Sequence, residues 1–193
     1  TLIGCSGLDY LLGGAGNDTY YVDNSSVVIW EGSNQGTDLV QASANYILRD
    51  SDLENLTLTG SSNINGTGNA SANTIRGNTG ANRLNGGAGA DKLFGNAGND
   101  RLVGGDGIDR LTGGVGNDTL IGGGGNDIFQ INAGTGRDVI TDYTSGEDKI
   151  KLLGGLTESD LTFREVGGHV RIKYEGDLMA IVQNTLIADL TFI

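Results

Sequence analysis

The chain has 193 residues, with 35 glycines and no proline, and only 37% of its residues are hydrophobic. This composition excludes collagen and ordinary low-complexity linkers, which combine glycine with proline, and it argues against a thick hydrophobic core. The balance of 12 basic against 24 acidic residues gives a net charge of −12. That charge excludes nucleic acid as an expected partner, because neutralising phosphates requires a basic surface.

Residues 1–21 form a short N-terminal block of two nine-residue units, GCSGLDYLL from Gly4 and GGAGNDTYY from Gly13. Thr1 is not a natural start and no signal peptide follows it, so the sequence is predicted to be a segment of a longer protein. It contains no apolar run long enough for a transmembrane segment. The single Cys5 excludes an intrachain disulfide and a cysteine-based zinc cluster.

Residues 22–67 lose the nine-residue frame but keep short β-rich runs between turn-forming residues. The runs are Val27–Trp30, Asp38–Gln41, Tyr46–Leu48 and Glu54–Leu58, and the turns are Asp23–Ser26, Gly32–Gly36 and Gly60–Gly66. We interpret this segment as irregular β coils with long turns. For Trp30 two interpretations remain: an exposed platform for carbohydrate, or, as we favour, a plug in the wider interior of these coils.

Residues 68–130 carry the regular repeat. Six contiguous units run from Gly77 to Gln130, beginning GNTGANRLN and ending GGGGNDIFQ, and a weaker unit starts at Gly68. Positions 1 and 4 are glycine in nearly every unit, position 6 is always Asp or Asn, and position 8 is always large and apolar. One apolar residue per unit supports a short strand, and glycine permits the sharp turn that follows it.

Two such units make one coil of two strands and two turns. Stacked coils form two parallel sheets whose strands lie about 4.8 Å apart, and the position-8 side chains meet in a thin interior. Proline is absent because it would remove a ladder N–H from nearly any position. The sequence therefore predicts an all-β, two-sheet solenoid with 18 residues per coil.

Stacking the coils places the position-6 residues in two rows, one on each edge. One row contains Asp91, Asp109 and Asp127, and the other contains Asn82, Asp100 and Asp118. Like charges at strand spacing destabilise a sheet, and the turns present unpaired carbonyls at the same place. Carboxylates and carbonyls on flexible loops are the ligands of Ca²⁺. Plain turns without a metal would leave both rows uncompensated, so we expect several bound Ca²⁺ ions.

These units resemble the GGxGxDxUx nonapeptide of the RTX (repeats-in-toxin) family, whose repeat forms a Ca²⁺-binding β-helix. The resemblance covers the two opening units and the residues from Gly68 to Gln130. It implies a right-handed parallel β-roll with ions in rows between successive turns. It also implies a module of a type I secreted bacterial protein.

In the family, an ion takes the carbonyls of positions 2 and 4 and the Asp of one turn, with the carbonyls of positions 1 and 3 and the Asp of the turn 18 residues later. The resemblance implies three sites: Gly87, Gly89 and Asp91 with Gly104, Asp106 and Asp109; Asn96, Gly98 and Asp100 with Gly113, Val115 and Asp118; and Gly105, Gly107 and Asp109 with Gly122, Gly124 and Asp127. A fourth pairing, Asn78, Gly80 and Asn82 with Gly95, Ala97 and Asp100, is predicted to be weak or empty because Asn82 supplies a neutral oxygen.

Near the N terminus, Gly14, Gly16 and Asp18 occupy the same ligand positions of the second unit. Glu31 and Asp38 flank the next predicted turn. Either these two residues complete a Ca²⁺ site with the first three, or they lie in a solvated loop.

Residues 131–193 are predicted to form a C-terminal antiparallel β cap, which a solenoid needs at its exposed end. The expected strands are Asp138–Thr141, Lys149–Leu152, Leu161–Glu165, His169–Tyr174 and Met179–Gln183, with hairpin turns at Thr144–Glu147, Gly167–Gly168 and Glu175–Asp177. By the resemblance, Asp138 and Asp142 ligate a terminal Ca²⁺. The alternative for these two residues is an ordinary strand start.

The final residues Asp189–Ile193 resemble the uncleaved C-terminal signal of type I secretion. That resemblance implies export by the type I secretion machinery of a Gram-negative bacterium and an extracellular location where Ca²⁺ is plentiful. Folding is then coupled to metal binding outside the cell. An effector domain preceding this segment is the expected covalent partner.

Position 7 of four consecutive repeats is basic: Arg83, Lys92, Arg101 and Arg110. We favour charge compensation as their role. The alternative is contact with an acidic polysaccharide, as the resemblance to the R-modules of alginate epimerases implies, which would make the chain an adhesion or polymer-binding module. The lone His169 has no evident nucleophile beside it, so no enzymatic activity is predicted for this segment.

Overall fold

The computed structural model describes residues 1–33, 36–133 and 136–193. The N-terminal strands β1 to β9 are Leu2–Gly4, Tyr10–Leu12, Thr19–Val22, Val28–Trp30, Leu39–Ala42, Tyr46–Ile47, Asn55–Leu58, Gly66–Thr67 and Thr74–Arg76. The array strands β10 to β14 are Arg83–Ala88, Lys92–Ala97, Arg101–Asp106, Arg110–Val115 and Thr119–Gly124. The C-terminal strands β15 to β20 are Ile128–Ile131, Asp138–Ile140, Lys149–Leu152, Leu161–Val166, His169–Tyr174 and Asp177–Val182.

Two short 3-10 helices, Glu158–Asp160 and Ile187–Asp189, complete the elements of the described ranges. No helix within those ranges has the length and apolar character needed to cross a membrane.

The strands alternate between two sheets, as expected for a coil of two strands. The first sheet contains every odd-numbered strand from β1 to β17 in chain order. The second runs β6-β8-β10-β12-β14-β16 and continues into β20, β19 and β18, while β2 and β4 form a separate parallel pair. The prediction of an all-β, two-sheet parallel solenoid is confirmed.

The 18-residue coil is visible in the strand register of the array. Leu84 pairs with Leu102 and Leu102 with Leu120 in the second sheet, while Leu93 pairs with Leu111 in the first. These position-8 side chains are almost completely buried. They form the thin interior that the sequence predicts, and each contributes about 1.5–3 kcal/mol when fully buried.

The array strands extend further than one apolar residue per unit suggests, because the ladder continues into the glycine turns. Gly87 pairs with Gly105 and Ala88 with Asp106. Gly105 has a φ of +118° and Gly107 a φ of +144°, which side chains other than glycine rarely adopt. A Cβ at either position would collide with the carbonyl oxygen of the turn below, so the close stacking of turns requires glycine there.

Residues 22–67 form coils of the same solenoid, as interpreted, although residues 34 and 35 of the predicted turn 32–36 lie outside the described residues. The favoured interpretation of Trp30 is wrong, because its side chain is 59% exposed. Alternation along β4 points Ile29 inward and Trp30 outward. The interior at this level is filled by Val27, Ile29 and Tyr46, all of which are buried.

The antiparallel cap is present but begins later than predicted. The strands β16 and β17 pair in parallel with β14 and β15, and only β18, β19 and β20 are mutually antiparallel. The reason is that Ile140 and Ile150 are buried directly above Leu120 and Phe129, so they extend the interior columns. The turn at Thr144–Glu147 therefore connects the two sheets instead of closing a hairpin.

The last residues lie along the edge of the first sheet. The Thr191 carbonyl accepts a hydrogen bond from the Ile150 N–H at 2.8 Å, and the Ile193 N–H donates to the Ile150 carbonyl at 3.1 Å. The Phe192 ring packs against Phe163 with ring centroids 5.5 Å apart. The tail thus covers part of the edge strand β17, which would otherwise present unpaired backbone groups.

Candidate metal centres

The position-6 aspartates each lie immediately before a strand, where they stack as predicted. One carboxylate oxygen, Oδ1, accepts the backbone N–H of the residue 18 positions earlier. The distances are 2.7 Å for Asn73 N to Asp91, Asn82 N to Asp100, Asp91 N to Asp109 and Asp100 N to Asp118, and 2.9 Å for Asp109 N to Asp127. These hydrogen bonds hold each carboxylate in one orientation.

The other oxygen of each carboxylate has no partner. The Oδ2 atoms of Asp91, Asp100, Asp109, Asp118 and Asp127 are buried and make no hydrogen bond. In the described parts of the chain, no lysine or arginine forms an ion pair with these carboxylates. Burying a polar atom without a partner is costly, and burying a charge without one costs far more. A positive charge or a proton at Oδ2 would therefore stabilise the arrangement.

Each unpartnered oxygen is aimed at the position-1 glycine of its own turn. A Cβ added at Gly104 would collide with Oδ2 of Asp109 and lie against the carbonyl oxygen of Gly122. We call this space, bounded by the aspartate Oδ2 and by a carbonyl of the next coil, a glycine cradle. Asp91 and Asp100 form the same contacts with Gly86 and Gly95. The donors are oxygens only and come from two adjacent coils, which fits Ca²⁺.

The charged form of these buried carboxylates is unfavourable at neutral pH. Burial raises the pKa of Asp91 and of Asp127 from 3.8 to about 6, and that of Asp100 to about 7. The stacked neighbour adds to the rise in pKa: Asp109 acts on Asp91 and Asp118 acts on Asp100. Burial also raises the pKa of Asp109 and Asp118. A bound cation would reverse these shifts, since it favours the charged form.

The structure brings the residues of the three expected sites into adjacent turns. The carbonyl oxygens of Gly87 and Gly89 face the Cα atoms of Gly105 and Gly107, and those of Asn96 and Gly98 face Gly114 and Gly116. The expected position-3 ligands already accept one hydrogen bond each: Asp106 from Gly89 N at 2.8 Å, Val115 from Gly98 N at 2.9 Å and Gly124 from Gly107 N at 2.7 Å. A carbonyl oxygen keeps a second lone pair for an ion.

The fourth pairing has different chemistry. The Asn82 side-chain carbonyl accepts the Asn78 N–H at 2.8 Å, and its amide donates to the Ile64 carbonyl at 2.7 Å. Both ends of this side chain are therefore satisfied by protein groups. This supports the expectation of a weak or empty site at Asn78, Gly80 and Asn82 with Gly95, Ala97 and Asp100.

At the C-terminal end, Asp138 continues one row and accepts the Asp118 N–H at 3.2 Å. Asp142 does not enter the row, and its two carboxylate oxygens accept the Gly122 and Gly123 N–H groups. Asp148, which the sequence analysis did not single out, continues the other row and accepts the Asp127 N–H at 2.8 Å. Asp148 lies 21 residues after Asp127, so it does not fall in the nine-residue frame.

The structure brings the three acidic residues of the N-terminal turn together. Asp18, Glu31 and Asp38 place carboxylate oxygens within 4.8 Å of one another. Gly13 lies directly against them, because a Cβ there would collide with Tyr20 Oη, Glu31 Oε1 and Asp18 Oδ2. The Tyr20 hydroxyl donates a hydrogen bond to Glu31 Oε1, while Oε2 of Glu31 is buried without a partner.

The remaining candidate residues of this region are less enclosed. Gly14 and Gly16 both have positive φ, and the Gly16 carbonyl oxygen faces Gly36. Asp9 also carries an unpartnered buried oxygen, Oδ2. Asp9 occupies position 6 of the first opening unit.

The four basic residues of position 7 are exposed. Arg83 pairs with Arg101 on the second sheet and Lys92 with Arg110 on the first, as their spacing predicts. Arg83 and Arg101 line one groove of about 510 Å³ together with a ladder of asparagines, Asn63, Asn65, Asn99 and Asn117. His169 lies on β19, where its Nδ1 accepts the Asn184 N–H at 3.1 Å.

Fold and sites together define a parallel β-solenoid whose turns are built to hold cations between coils. A family model described as the RTX calcium-binding nonapeptide repeat (4 copies) matches residues 1–25, 67–102 and 94–129. These ranges contain the glycine cradles of the array and the opening units. The chain therefore carries RTX calcium-binding nonapeptide repeats.

Among solved structures, 33 chains match this chain. One is the crystal structure of the extracellular lipase LipA from Serratia marcescens, with 17% sequence identity and a TM-score of 0.47. The match covers 96% of this chain and 38% of the lipase chain, so the chain spans well under half of that protein. No curated protein sequence matches.

Proposed function

We propose that this chain is a Ca²⁺-dependent folding module of a larger extracellular protein, exported unfolded through the type I machinery and ordered by Ca²⁺ outside the cell. The observation that carries the proposal is the set of five buried Oδ2 atoms without partners, each aimed at the position-1 glycine of its own turn. Without cations the fold holds uncompensated charge, so its stability depends on metal binding. Extracellular modules of this type bind Ca²⁺ with Kd values of about 10⁻⁴ to 10⁻³ M.

The proposed sites are the three array pairs, a terminal site that includes Asp138, and the N-terminal site of Asp18, Glu31 and Asp38. When bound, Ca²⁺ supplies positive charge to the rows and links adjacent coils. The protein residues orient the carboxylates through the Oδ1 hydrogen bonds and leave Oδ2 free for the ion. Asp148 extends the second row in the same way and is a further candidate ligand.

Export is tested by fusing a passenger domain to the N terminus of the chain in a Gram-negative host with a type I exporter. Deletion of residues 189–193 is expected to stop secretion. Because Phe192 and Thr191 also contact the fold, the purified deletion variant is tested for Ca²⁺-induced folding in parallel. Unchanged secretion of the deletion variant would contradict the export role. The control is Asp109→Asn, which weakens metal binding but keeps the tail intact.

For the N-terminal site, Glu31→Gln is expected to lower the number of bound Ca²⁺ ions by one, since it removes the charge at the unpartnered Oε2. The cooperative folding of the array should be unchanged. Equilibrium dialysis gives the ion count and circular dichroism follows folding. Asp118→Asn is the matched control, because it should alter the folding of the array instead. An unchanged ion count in Glu31→Gln would exclude the N-terminal site.

A second candidate function, binding of an acidic polysaccharide, is supported by the groove that Arg83 and Arg101 line with asparagine side chains. Guanidinium groups recognise carboxylates in bidentate geometry, and the amides would bind hydroxyl groups. Replacing Arg83 and Arg101 by Thr is expected to abolish retention on an alginate column in Ca²⁺ buffer. Replacing Lys92 and Arg110 by Thr on the other sheet should have little effect, and equal losses from both pairs would indicate nonspecific charge attraction.

A further inference from the structure

The unpartnered buried oxygens are absent from the middle of the solenoid. Within the described ranges they belong to Asp9, Glu31 and five aspartates from Asp91 to Asp127. Residues 45–85, which we call the asparagine segment, lie between these two groups. The coils of this segment belong to the same two sheets as the array, so something other than a cation must satisfy the oxygens that converge at their turns.

Asparagine side chains take that role. The Asn69 amide donates to the carbonyls of Asp50 and Leu53 in the preceding coil, at 2.6 and 2.8 Å. The Asn78 amide repeats the arrangement on the other edge, with the carbonyls of Thr59 and Ser62 at 3.1 and 3.0 Å. Each amide thus joins two carbonyls of the adjacent turn, as a cation would, while adding no charge.

The position-6 residues of these turns are neutral as well. Asn73 accepts the Asn69 N–H at 2.8 Å and donates to the Leu53 carbonyl at 3.0 Å. Asn82 makes the equivalent pair of contacts with Asn78 and Ile64. Both residues are 2% exposed, yet both ends of each amide are hydrogen-bonded, so burial leaves no unsatisfied group.

The asparagine segment also has the larger apolar core. Eight of its side chains are buried hydrophobics: Tyr46, Leu48, Leu53, Leu56, Leu58, Ile64, Ile75 and Leu84. The array over residues 86–127, a stretch of similar length, has four: Leu93, Leu102, Leu111 and Leu120. More apolar burial favours folding of the segment without a metal, and none of its carboxylate oxygens is buried without a hydrogen-bond partner.

We propose that the asparagine segment folds without Ca²⁺ and serves as the nucleus on which the Ca²⁺-dependent coils of the array assemble. Its last two turns present the N–H groups of Asn73 and Asn82, which bind the Oδ1 atoms of Asp91 and Asp100 at 2.7 Å. These aspartates are the first of each row in the array, so an ordered segment orients the first carboxylate of each row. The inference rests on the proposed Ca²⁺-dependent folding of the array.

The test is hydrogen exchange of the full chain, read by mass spectrometry in EDTA and in Ca²⁺. In EDTA, amides of residues 46–85 are expected to exchange at least an order of magnitude more slowly than those of residues 100–130. In Ca²⁺ both ranges become protected. Equally fast exchange of both ranges in EDTA would overturn the proposal that the asparagine segment is a folding nucleus, and it would leave the proposed function intact.

Protection of both ranges in EDTA would instead overturn the Ca²⁺-dependent folding. In that case the variant Asn69→Ala with Asn78→Ala decides the role of the amides. Loss of protection in residues 46–85 of this variant would support the Asn69 and Asn78 amides as the substitute for a cation. Unchanged protection would overturn that role. Asn85→Ala, at an exposed position of β10, is the matched control and should leave exchange unchanged.

Discussion

Gly104→Ala is expected to raise the Ca²⁺ concentration needed for folding by more than tenfold, which corresponds to at least about 1.4 kcal/mol. The added methyl group would fill the cradle, where it collides with Oδ2 of Asp109 and lies against the Gly122 carbonyl. The backbone of Gly104 is not left-handed, so the effect comes from loss of space for the ion and from overpacking. A Ca²⁺ titration followed by circular dichroism measures the shift.

Gly124→Ala is the matched control for that substitution, because alanine keeps the backbone carbonyl that Gly124 offers to its expected site. Gly124 also lies in the array without a positive φ, and the atom nearest to an added Cβ is Asp106 Oδ1 at an ordinary 3.5 Å. It should fold at nearly the wild-type Ca²⁺ concentration. If both variants behave alike, the cradle at Gly104 is not where the ion binds.

Acid is expected to replace Ca²⁺ in part. In EDTA, the chain should gain β structure as the pH falls from 7.5 to 5. The pKa values of Asp91 and Asp127 are about 6 and that of Asp100 about 7 in the folded chain, whereas aspartate in an unfolded chain has a pKa of about 3.9. Between these values the folded state binds more protons, so the free energy of unfolding falls as the pH rises from about 4 to 7.

Each unit of pKa shift corresponds to about 1.4 kcal/mol. The two charged aspartate rows therefore lower the free energy of unfolding by several kcal/mol at neutral pH when no cation is bound. In Ca²⁺ the direction reverses, because the ion displaces protons and binds more tightly at higher pH. Far-UV circular dichroism across this pH range, with EDTA or with Ca²⁺, measures both trends. A β signal in EDTA that is independent of pH, or that grows toward pH 7.5, would contradict the account. Replacing Asp91, Asp109 and Asp127 by Asn should flatten the dependence.

The sequence predicts the array well because every element there keeps the same nine-residue spacing. The buried Leu93, the stacked Asp109 and the glycine turns could all be read from columns. Inserted residues shift the nine-residue spacing of the sequence, although the carboxylates still stack in rows in the fold. Stacked residues are 20 positions apart from Asp18 to Asp38 and 21 from Asp127 to Asp148. Asp148 was missed for this reason.

Other features depend on side-chain geometry that spacing does not determine. The composition does not show which face of β4 carries Trp30, and in the fold Ile29 is the buried residue of that strand while Trp30 is exposed. The contact between Tyr20 on β3 and Glu31 after β4 joins different strands and follows no repeat. The substitution of cations by Asn69 and Asn78 likewise requires knowing which carbonyls their amides reach.

The most direct test of the central claim is a Ca²⁺ titration of the EDTA-treated chain, with far-UV circular dichroism and hydrodynamic radius recorded together and Mg²⁺ as the control ion. We predict a cooperative gain of β structure with compaction near millimolar Ca²⁺, the range typical of extracellular sites, and no such transition with Mg²⁺. The asparagine segment should leave a small β signal in EDTA. A chain that is fully compact and fully β-structured in EDTA at neutral pH would show that the aspartate rows are stable without a metal, and would contradict the claim.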